Sequence, residues 1–159
     1  RLAGQPLIPR TQTHPANPSW RRAARILDRL EPLLARIRLA GWVWRDCKPS
    51  HILVDRGTYH FIDFEHACRR EEKRGTPWIS PDYSRAVNCA TRQPGTAEDD
   101  YALGVIAFQF LAGRFPPPTR RGRARIYHRT GCPVRLRERI ERLLGDVSRH
   151  NPSPAYRAC

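Results

Sequence analysis

Two carboxylates and a lysine have the side-chain types and the spacing that phosphate chemistry requires. Asp46 and Lys48 are separated by one residue, and Asp63 follows further along the chain. Transfer of a phosphoryl group needs a base or orienting group for the hydroxyl, cations around the phosphates and carboxylates that hold magnesium. Lys48 is one of only two lysines among 29 basic residues, and its compact ammonium differs from a guanidinium as a phosphate partner. The set predicts a phosphate-binding site.

The elements around these residues should bring Asp46 and Asp63 together. Residues 52–54 and 58–62 have strand-type patterns and flank the turn sequence D-R-G. This arrangement predicts two short strands joined by a tight turn. Because a hairpin returns the chain to the end from which it started, the loop before the first strand lies near the residue after the second. Asp46 and Asp63 are therefore expected to share one site.

A first helix is predicted before the hairpin. It begins after Ser19, presents a leucine-rich face opposite its arginines and ends at Gly41. Pro32 should bend or divide it, because proline lacks the N–H that a helix interior uses. Residues 1–18 are rich in proline and predict an irregular connector, and residues 69–95 predict mostly loop.

A second helix is expected to start at Thr96, where Asp99 three residues later resembles a capping box. It should extend to about residue 112, with Gly113 as its stop. Since this stretch is apolar almost all round, it is expected to be the buried axis of the domain. A basic stretch follows, and residues 134–144 predict the final helix.

The composition indicates one domain with an arginine-rich surface. The chain has 159 residues and a net charge of +14, and such a charge attracts polyanions. The arginines are nevertheless spread along the chain without interleaved aromatic residues, so nucleic-acid binding is not the favoured interpretation. Residues 120–125 and 135–142 would carry it if it occurred.

The five cysteines predict no disulfide framework. They are odd in number, scattered and without a C-x-x-C pair, which favours a reducing compartment and hence a cytoplasmic location. Cys47 with His51 and His66 with Cys68 do not have the usual spacing of a structural zinc site. The longest apolar run is far shorter than a bilayer requires, so no membrane association is expected.

Four sequence motifs, in order, are similar to those of Ser/Thr protein kinases. WRDCKPSH at residues 44–51 resembles the H-R-D-L-K-P-x-N catalytic loop, and DFE at residues 63–65 resembles D-F-G. GTPWISPD at residues 75–82 resembles the end of the activation segment, and DDYALGV at residues 99–105 resembles the start of the central hydrophobic helix. The resemblance extends over about residues 19–116.

This resemblance implies a protein-kinase-like fold of the α+β class that is mainly helical. Residues 19–159 would form the large, C-terminal lobe, with a short β-hairpin next to the catalytic loop. Residues 1–18 would connect it to an N-terminal, nucleotide-binding lobe that is missing from the sequence. That expectation agrees with the absence of any lysine before Lys48 and of any G-x-G sequence.

The resemblance also implies roles for individual residues, with ATP and Mg²⁺ as cofactors. Asp46 would be the catalytic base, and Lys48 would steady the transferred phosphate and contact the nucleotide. Asp63 and His51 would hold the metal and the nucleotide phosphates. His51 lies where the family has a magnesium-binding Asn, and imidazole is a poor ligand for a hard cation.

Supporting roles are implied for four further residues. Arg45 would interact with a phosphorylated activation loop, and Thr76 would help to orient Asp46. Asp82 would pair with a late arginine, for which Arg157 is a candidate. Asp99 would brace the backbone of the catalytic loop.

The expected function is ATP-dependent phosphorylation of Ser/Thr hydroxyls in a protein substrate. Phosphotransferases of the aminoglycoside type usually carry Gly where this chain has Arg45 and a second His where it has Lys48. Arg45, Lys48 and the G-T-P sequence at residues 75–77 therefore favour a protein substrate. Glu65 replaces the Gly of D-F-G, and Trp44 replaces the first His of the catalytic loop. With His51, these departures leave a catalytically impaired pseudokinase or an interaction module as the alternative.

Overall fold

The structure is a computed structural model that describes residues 4–7, 19–72, 80–84 and 96–145. In these ranges the chain forms helices, short strands and two 3₁₀ turns, at Pro49–His51 and Pro81–Tyr83. The strands are β1 (Gln5–Pro6), β2 (Trp42–Val43), β3 (Ile52–Asp55), β4 (Thr58–Phe61) and β5 (Cys68–Arg69), and the helices are α1 (Trp20–Leu39), α2 (Thr96–Ala112), α3 (Arg120–Arg129) and α4 (Val134–Leu144). The predicted α+β class is confirmed.

Helix α1 is held by an apolar stripe that faces the core. Five of its side chains are buried, namely Ala23, Ile26, Leu27, Leu30 and Leu34. Of the two expected effects of Pro32, a bend or a division, the division is wrong, because α1 continues through the residue. Pro32 and Asp28 are both exposed, so water can reach the Asp28 carbonyl that loses its helical partner. The predicted end at Gly41 is confirmed, since α1 stops at Leu39 and Gly41 has a φ of 81°.

Helix α2 is the buried axis that its composition predicted. Residues 102–109 are all buried, and the helix packs against both α1 and α4. At Gly104 the approach of α4 is close, since a Cβ there would lie 3.0 Å from both the Leu143 Cβ and the Leu144 backbone nitrogen. No helix in the described part of the chain is long and apolar enough to cross a membrane.

The predicted hairpin is confirmed as β3 and β4, which pair antiparallel from Ile52 with Phe61 to Asp55 with Thr58. Arg56 and Gly57 form its turn with φ values of 46° and 84°, the left-handed pair that a tight type I′ turn requires. Strand β1 adds to the other edge of β3, within a segment expected to be irregular. A second small sheet joins β2 to β5.

Helix α3 lies in the basic stretch between α2 and α4, for which the sequence predicted no element. It begins after Thr119, whose hydroxyl accepts a hydrogen bond from the Gly122 amide at 3.1 Å. Only two apolar side chains with bulk, Ile126 and Tyr127, enter the core from this helix. Two adjacent apolar residues show no helical periodicity, so this arginine-rich sequence did not indicate a helix.

A buried ion pair fixes α3 to α4. Arg123 is 2% exposed, and its guanidinium donates to both carboxylate oxygens of Glu141 at 2.7 and 2.8 Å. The Tyr127 hydroxyl donates to the same carboxylate at 2.7 Å. The remaining guanidinium nitrogen donates to the carbonyls of Pro117 and Pro118 at 3.1 and 3.0 Å. This arginine is thus a structural group, unlike the exposed arginines around it.

Replacing Glu141 with Gln should therefore destabilise the fold by about 3–5 kcal/mol, because it leaves the buried Arg123 charge uncompensated. Burial alone would raise the pKa of Glu141, but hydrogen bonds from Arg123 and Tyr127 bring it below its ordinary value. Its stabilisation is present above a pH of about 4.3 and is lost as the pH falls through the folded-state pKa. Urea unfolding at several pH values measures both effects.

The matched control is Glu138→Gln, which removes an exposed carboxylate from the same helix. It should change the free energy of unfolding by less than about 0.5 kcal/mol. Similar losses in the two variants would show that the ion pair does not carry the contact between α3 and α4.

Candidate functional site

Asp46 lies at the centre of a small polar cluster. It belongs to the segment between β2 and the first 3₁₀ turn, and is 6% exposed. Lys48 Nζ donates to Asp46 Oδ2 at 2.8 Å, and Ser80 Oγ donates to Asp46 Oδ1 at 2.9 Å. Lys48 Nζ also donates to Ser80 Oγ at 3.2 Å. Both oxygens of the carboxylate are therefore engaged by groups that hold it in one orientation.

The surroundings of Asp46 keep it ionised. Burial by itself would raise its pKa, but hydrogen bonds from Lys48 and Ser80, with the charges of Lys48 and His51, bring the pKa below its ordinary value. A carboxylate that is buried and still charged is a strong hydrogen-bond acceptor, because little water competes for its oxygens. Asp46 can therefore orient a hydroxyl group that enters the site.

His51 connects Asp46 to Asp63. Its Nδ1 lies 3.2 Å from Asp46 Oδ2, and its Nε2 lies 3.1 Å from Asp63 Oδ2. One ligand atom from each of the three residues lies within 4.8 Å of the others. The hairpin explains the convergence, because His51 immediately precedes β3 and Asp63 follows β4. Carboxylate oxygens suit a hard cation such as magnesium, whereas an imidazole nitrogen is a poor ligand for that cation.

Trp44 holds the backbone of Asp63 in place. Its buried indole N–H donates to the Asp63 carbonyl at 3.0 Å, and its ring stacks on Phe61 with centroids 4.3 Å apart. Asp63 has a φ of 62°, a left-handed conformation that is uncommon for residues other than glycine. Trp44 therefore does more than fill the core, a role that its position in the sequence alone did not reveal.

Asp99 joins helix α2 to the loop that carries Asp46. Its Oδ2 accepts the backbone N–H of Trp44 at 3.0 Å, and its Oδ1 accepts that of Arg45 at 2.8 Å. Arg45 has a φ of 71°, so the loop turns sharply at the point where it is held. Burial raises the pKa of Asp99 to about 6, although both backbone hydrogen bonds act in the opposite direction. The capping-box interpretation of Asp99 is wrong, because its carboxylate contacts this loop.

The other predicted residues are more dispersed. Thr76 and Arg157 lie outside the described residues, so their predicted roles stay predictions. Asp82 is exposed in the second 3₁₀ turn, and within the described ranges it forms no ion pair. The Arg45 guanidinium is half-buried, with one nitrogen 4.0 Å from the Cys68 sulfur.

Ser80 is the contact of Asp46 that sequence reasoning missed. It lies in the segment GTPWISPD, where Thr76 was expected to orient Asp46. The available signal was the presence of another hydroxyl residue in that segment, but the sequence contains no information on which of them faces Asp46.

A family model described as "Phosphotransferase enzyme family" matches residues 4–70, which contain Asp46, Lys48, His51 and Asp63. The chain is 37% identical over 76 residues to the cAMP-dependent protein kinase catalytic subunit of Dictyostelium discoideum. The same identity and length are found with the human cAMP-dependent protein kinase catalytic subunit PRKX. Over the matched residues the chain is similar to protein kinases.

The kinase-like chain corresponds to a small part of these relatives. The alignments cover 47% of the chain, 12% of the Dictyostelium protein and 21% of the human one. Mouse serine/threonine-protein kinase MRCK gamma is 33% identical over 115 residues, which cover 58% of the chain and 7% of that protein. The resemblance to kinases found from sequence motifs is thereby confirmed, whereas the assignment to one lobe stays a prediction.

Replacing Asp99 with Asn should release the Asp46 loop, since the amide NH₂ cannot accept one of the two backbone N–H groups. We expect faster hydrogen exchange at Trp44 or Arg45 at constant pH. Asp100→Asn is the control, because Asp100 binds Arg38 instead of the loop. Equal exchange in the two variants would contradict the bracing role.

The same variant tests the raised pKa of Asp99. Because its folded-state pKa of about 6 exceeds the ordinary value of 3.8, ionisation of Asp99 should lower the free energy of unfolding as the pH rises between these values. The expected decrease is on the order of 3 kcal/mol. The Asp99→Asn variant should lack this component, and the Asp100→Asn control should retain it.

Replacing Ser80 with Ala should raise the pKa of Asp46, because one hydrogen bond to the charged form is lost. A hydrogen bond to a charged group contributes about 1.5–3 kcal/mol, which corresponds to about 1–2 pKa units. Carboxyl ¹³C resonances followed by NMR titration give this pKa directly. Ser50→Ala changes an exposed serine beside His51 and should leave it unaltered. An unchanged pKa in Ser80→Ala would exclude Ser80 as an orienting group.

Proposed function

We propose that this kinase-like chain carries the phosphotransfer site of an ATP-dependent enzyme that phosphorylates Ser or Thr hydroxyls of proteins. The main observation is the geometry at Asp46. This buried, ionised carboxylate accepts a hydrogen bond from the Ser80 hydroxyl at 2.9 Å and lies 2.8 Å from Lys48 Nζ. A substrate hydroxyl would need a carboxylate acceptor of this kind, and the phosphate would need a cation such as Lys48 beside that carboxylate.

In this proposal, Asp46 orients the acceptor hydroxyl and takes its proton as that oxygen bonds to the γ-phosphorus of ATP and the bond from this phosphorus to the leaving ADP breaks. Lys48 offsets the negative charge of the phosphoryl group that is transferred. Asp63 and His51 would hold a divalent cation, which neutralises charge on the nucleotide phosphates when it is bound. Trp44 and Asp99 act through the backbone, by keeping Asp63 and the Asp46 loop in their left-handed conformations.

The preference for a protein substrate rests on Arg45 and Lys48, as well as on the names of the relatives, which are protein kinases. A nucleotide-binding lobe outside residues 1–159 is part of the proposal, since no lysine precedes Lys48 and no G-x-G sequence occurs. A cytoplasmic location remains part of the proposal as well. Thr76 and Asp82 stay candidates for supporting roles.

A second candidate function is that of a pseudokinase or an interaction module. It is favoured by His51, whose ring lies between the two carboxylates where the family has an amide oxygen. Magnesium-dependent nucleotide binding without turnover by the full-length gene product would support this second function. Binding with turnover would leave it without support.

Replacing Asp46 with Asn in the full-length gene product should lower phosphotransfer by about 10²–10⁴-fold, because the amide cannot accept the hydroxyl proton. The measurement is transfer of radiolabel from ATP to a library of Ser/Thr peptides. Asp55→Asn is the matched control, since Asp55 lies at the far end of the same hairpin. If Asp46→Asn were as active as wild type, Asp46 would have no part in the mechanism.

A further inference from the structure

Asp63 and His51 together offer one ligand atom of the type that magnesium prefers and one that it does not. Asp63 offers a carboxylate oxygen, and His51 offers an imidazole nitrogen 3.1 Å from it. Magnesium strongly favours oxygen ligands, whereas imidazole nitrogen is a common ligand of first-row transition metals. A site that uses both atoms is therefore biased against the cation that the kinase resemblance implies.

The separation of the two atoms matches adjacent ligands of one small cation. Metal–ligand distances of about 2.1 Å place neighbouring ligands of an octahedral ion about 3.0 Å apart. The observed distance between His51 Nε2 and Asp63 Oδ2 is 3.1 Å. The His51 side chain is 12% exposed and that of Asp63 is 39% exposed, so one side of the pair is open to further ligands.

A second carboxylate, that of Asp46, lies beside the other ring nitrogen of His51. Its Oδ2 lies 3.2 Å from His51 Nδ1, which is buried and has no hydrogen-bond partner among the described residues. Metal-binding histidines commonly donate the N–H of their second ring nitrogen to a carboxylate, and this hydrogen bond selects the tautomer. A proton on Nδ1 would leave the lone pair of Nε2 directed to the side of Asp63.

The same geometry argues against Asp46 as a direct metal ligand. Its two oxygens already accept hydrogen bonds from Lys48 and Ser80. A cation bound to either oxygen would lie next to the Lys48 ammonium, and the two positive charges would repel each other. Asp46 therefore lies beside the metal site without being a ligand, and the carboxylate lone pairs that Lys48 and Ser80 leave unused can accept the substrate hydroxyl.

We propose that His51 Nε2 and Asp63 bind a divalent first-row transition metal in preference to magnesium, with the Asp46 carboxylate beside the second ring nitrogen of His51. The inference deepens the proposed function, because this cation would be the one next to the nucleotide phosphates. It concerns binding selectivity, however, and can be measured without ATP and without turnover.

Cobalt(II) is a suitable probe, since its absorption spectrum distinguishes nitrogen and oxygen ligands from thiolates. This matters because the chain has five cysteines. The wild-type chain, freed of metal, should bind Co²⁺ with a spectrum of nitrogen and oxygen ligands, and a large excess of Mg²⁺ should fail to displace it. His51→Asn should weaken Co²⁺ binding by about tenfold or more and allow Mg²⁺ to compete.

His128→Asn is the matched control, because His128 is exposed on α3, away from the site. It should bind Co²⁺ as the wild type does. Displacement of Co²⁺ by Mg²⁺ from the wild type, a spectrum of thiolate ligands alone, or equal Co²⁺ affinity in His51→Asn would each overturn the inference.

A second measurement covers the case in which His51→Asn does not fold. Paramagnetic Co²⁺ should broaden the ring resonances of His51 in the wild-type chain and spare those of His128. Broadening of both, or of neither, would contradict the proposed ligand. If Co²⁺ binds selectively but the full-length gene product shows no phosphotransfer, only the proposed function is refuted. If the full-length product transfers phosphate and its metal site prefers Mg²⁺, only this inference is refuted.

Discussion

The contact on which the site depends most is the one between Asp99 and the backbone of the Asp46 loop. Asp99 lies on the buried helix α2, and its two oxygens accept the N–H groups of Trp44 and Arg45. A strained loop conformation persists only where the surrounding structure holds it. Here the holding group is a carboxylate whose burial raises its pKa to about 6. The buried negative charge of Asp99 is thus unfavourable in itself, but it holds the loop in its conformation.

A chain of contacts extends from this point to the side chains that would perform chemistry. Trp44 is held by Asp99 on its backbone, and its indole in turn holds the Asp63 carbonyl. His51 then links Asp63 to Asp46, which Lys48 and Ser80 orient. Because the groups are connected in series, a change at one of them should affect the others. Substitutions in this region are therefore best interpreted with a local measurement, such as an individual pKa or amide exchange rate.

The differences between expectation and structure have identifiable physical causes. Helix α3 was not expected, because no apolar repeat marks it in the sequence. It is stabilised by the contact of Arg123 with Glu141, which lies 18 positions further along the chain. A bend or a division at Pro32 was expected from a local rule, but the helix is not divided, because the exposed position of the residue allows water to replace the lost hydrogen bond. Asp99 was assigned to a cap because the spacing from Thr96 permits one, although its carboxylate is used elsewhere.

The sequence by itself predicted the type of site, because Asp46, Lys48 and Asp63 occur at characteristic spacings within motifs that resemble those of protein kinases. It also determined the hairpin and the buried helix α2, since both depend on patterns between near neighbours. Only the tertiary structure decided that Ser80 orients Asp46, that Trp44 supports Asp63 and that His51 lies between the two carboxylates. These contacts join residues from separate elements, and their distances depend on how the elements pack, which no local pattern encodes.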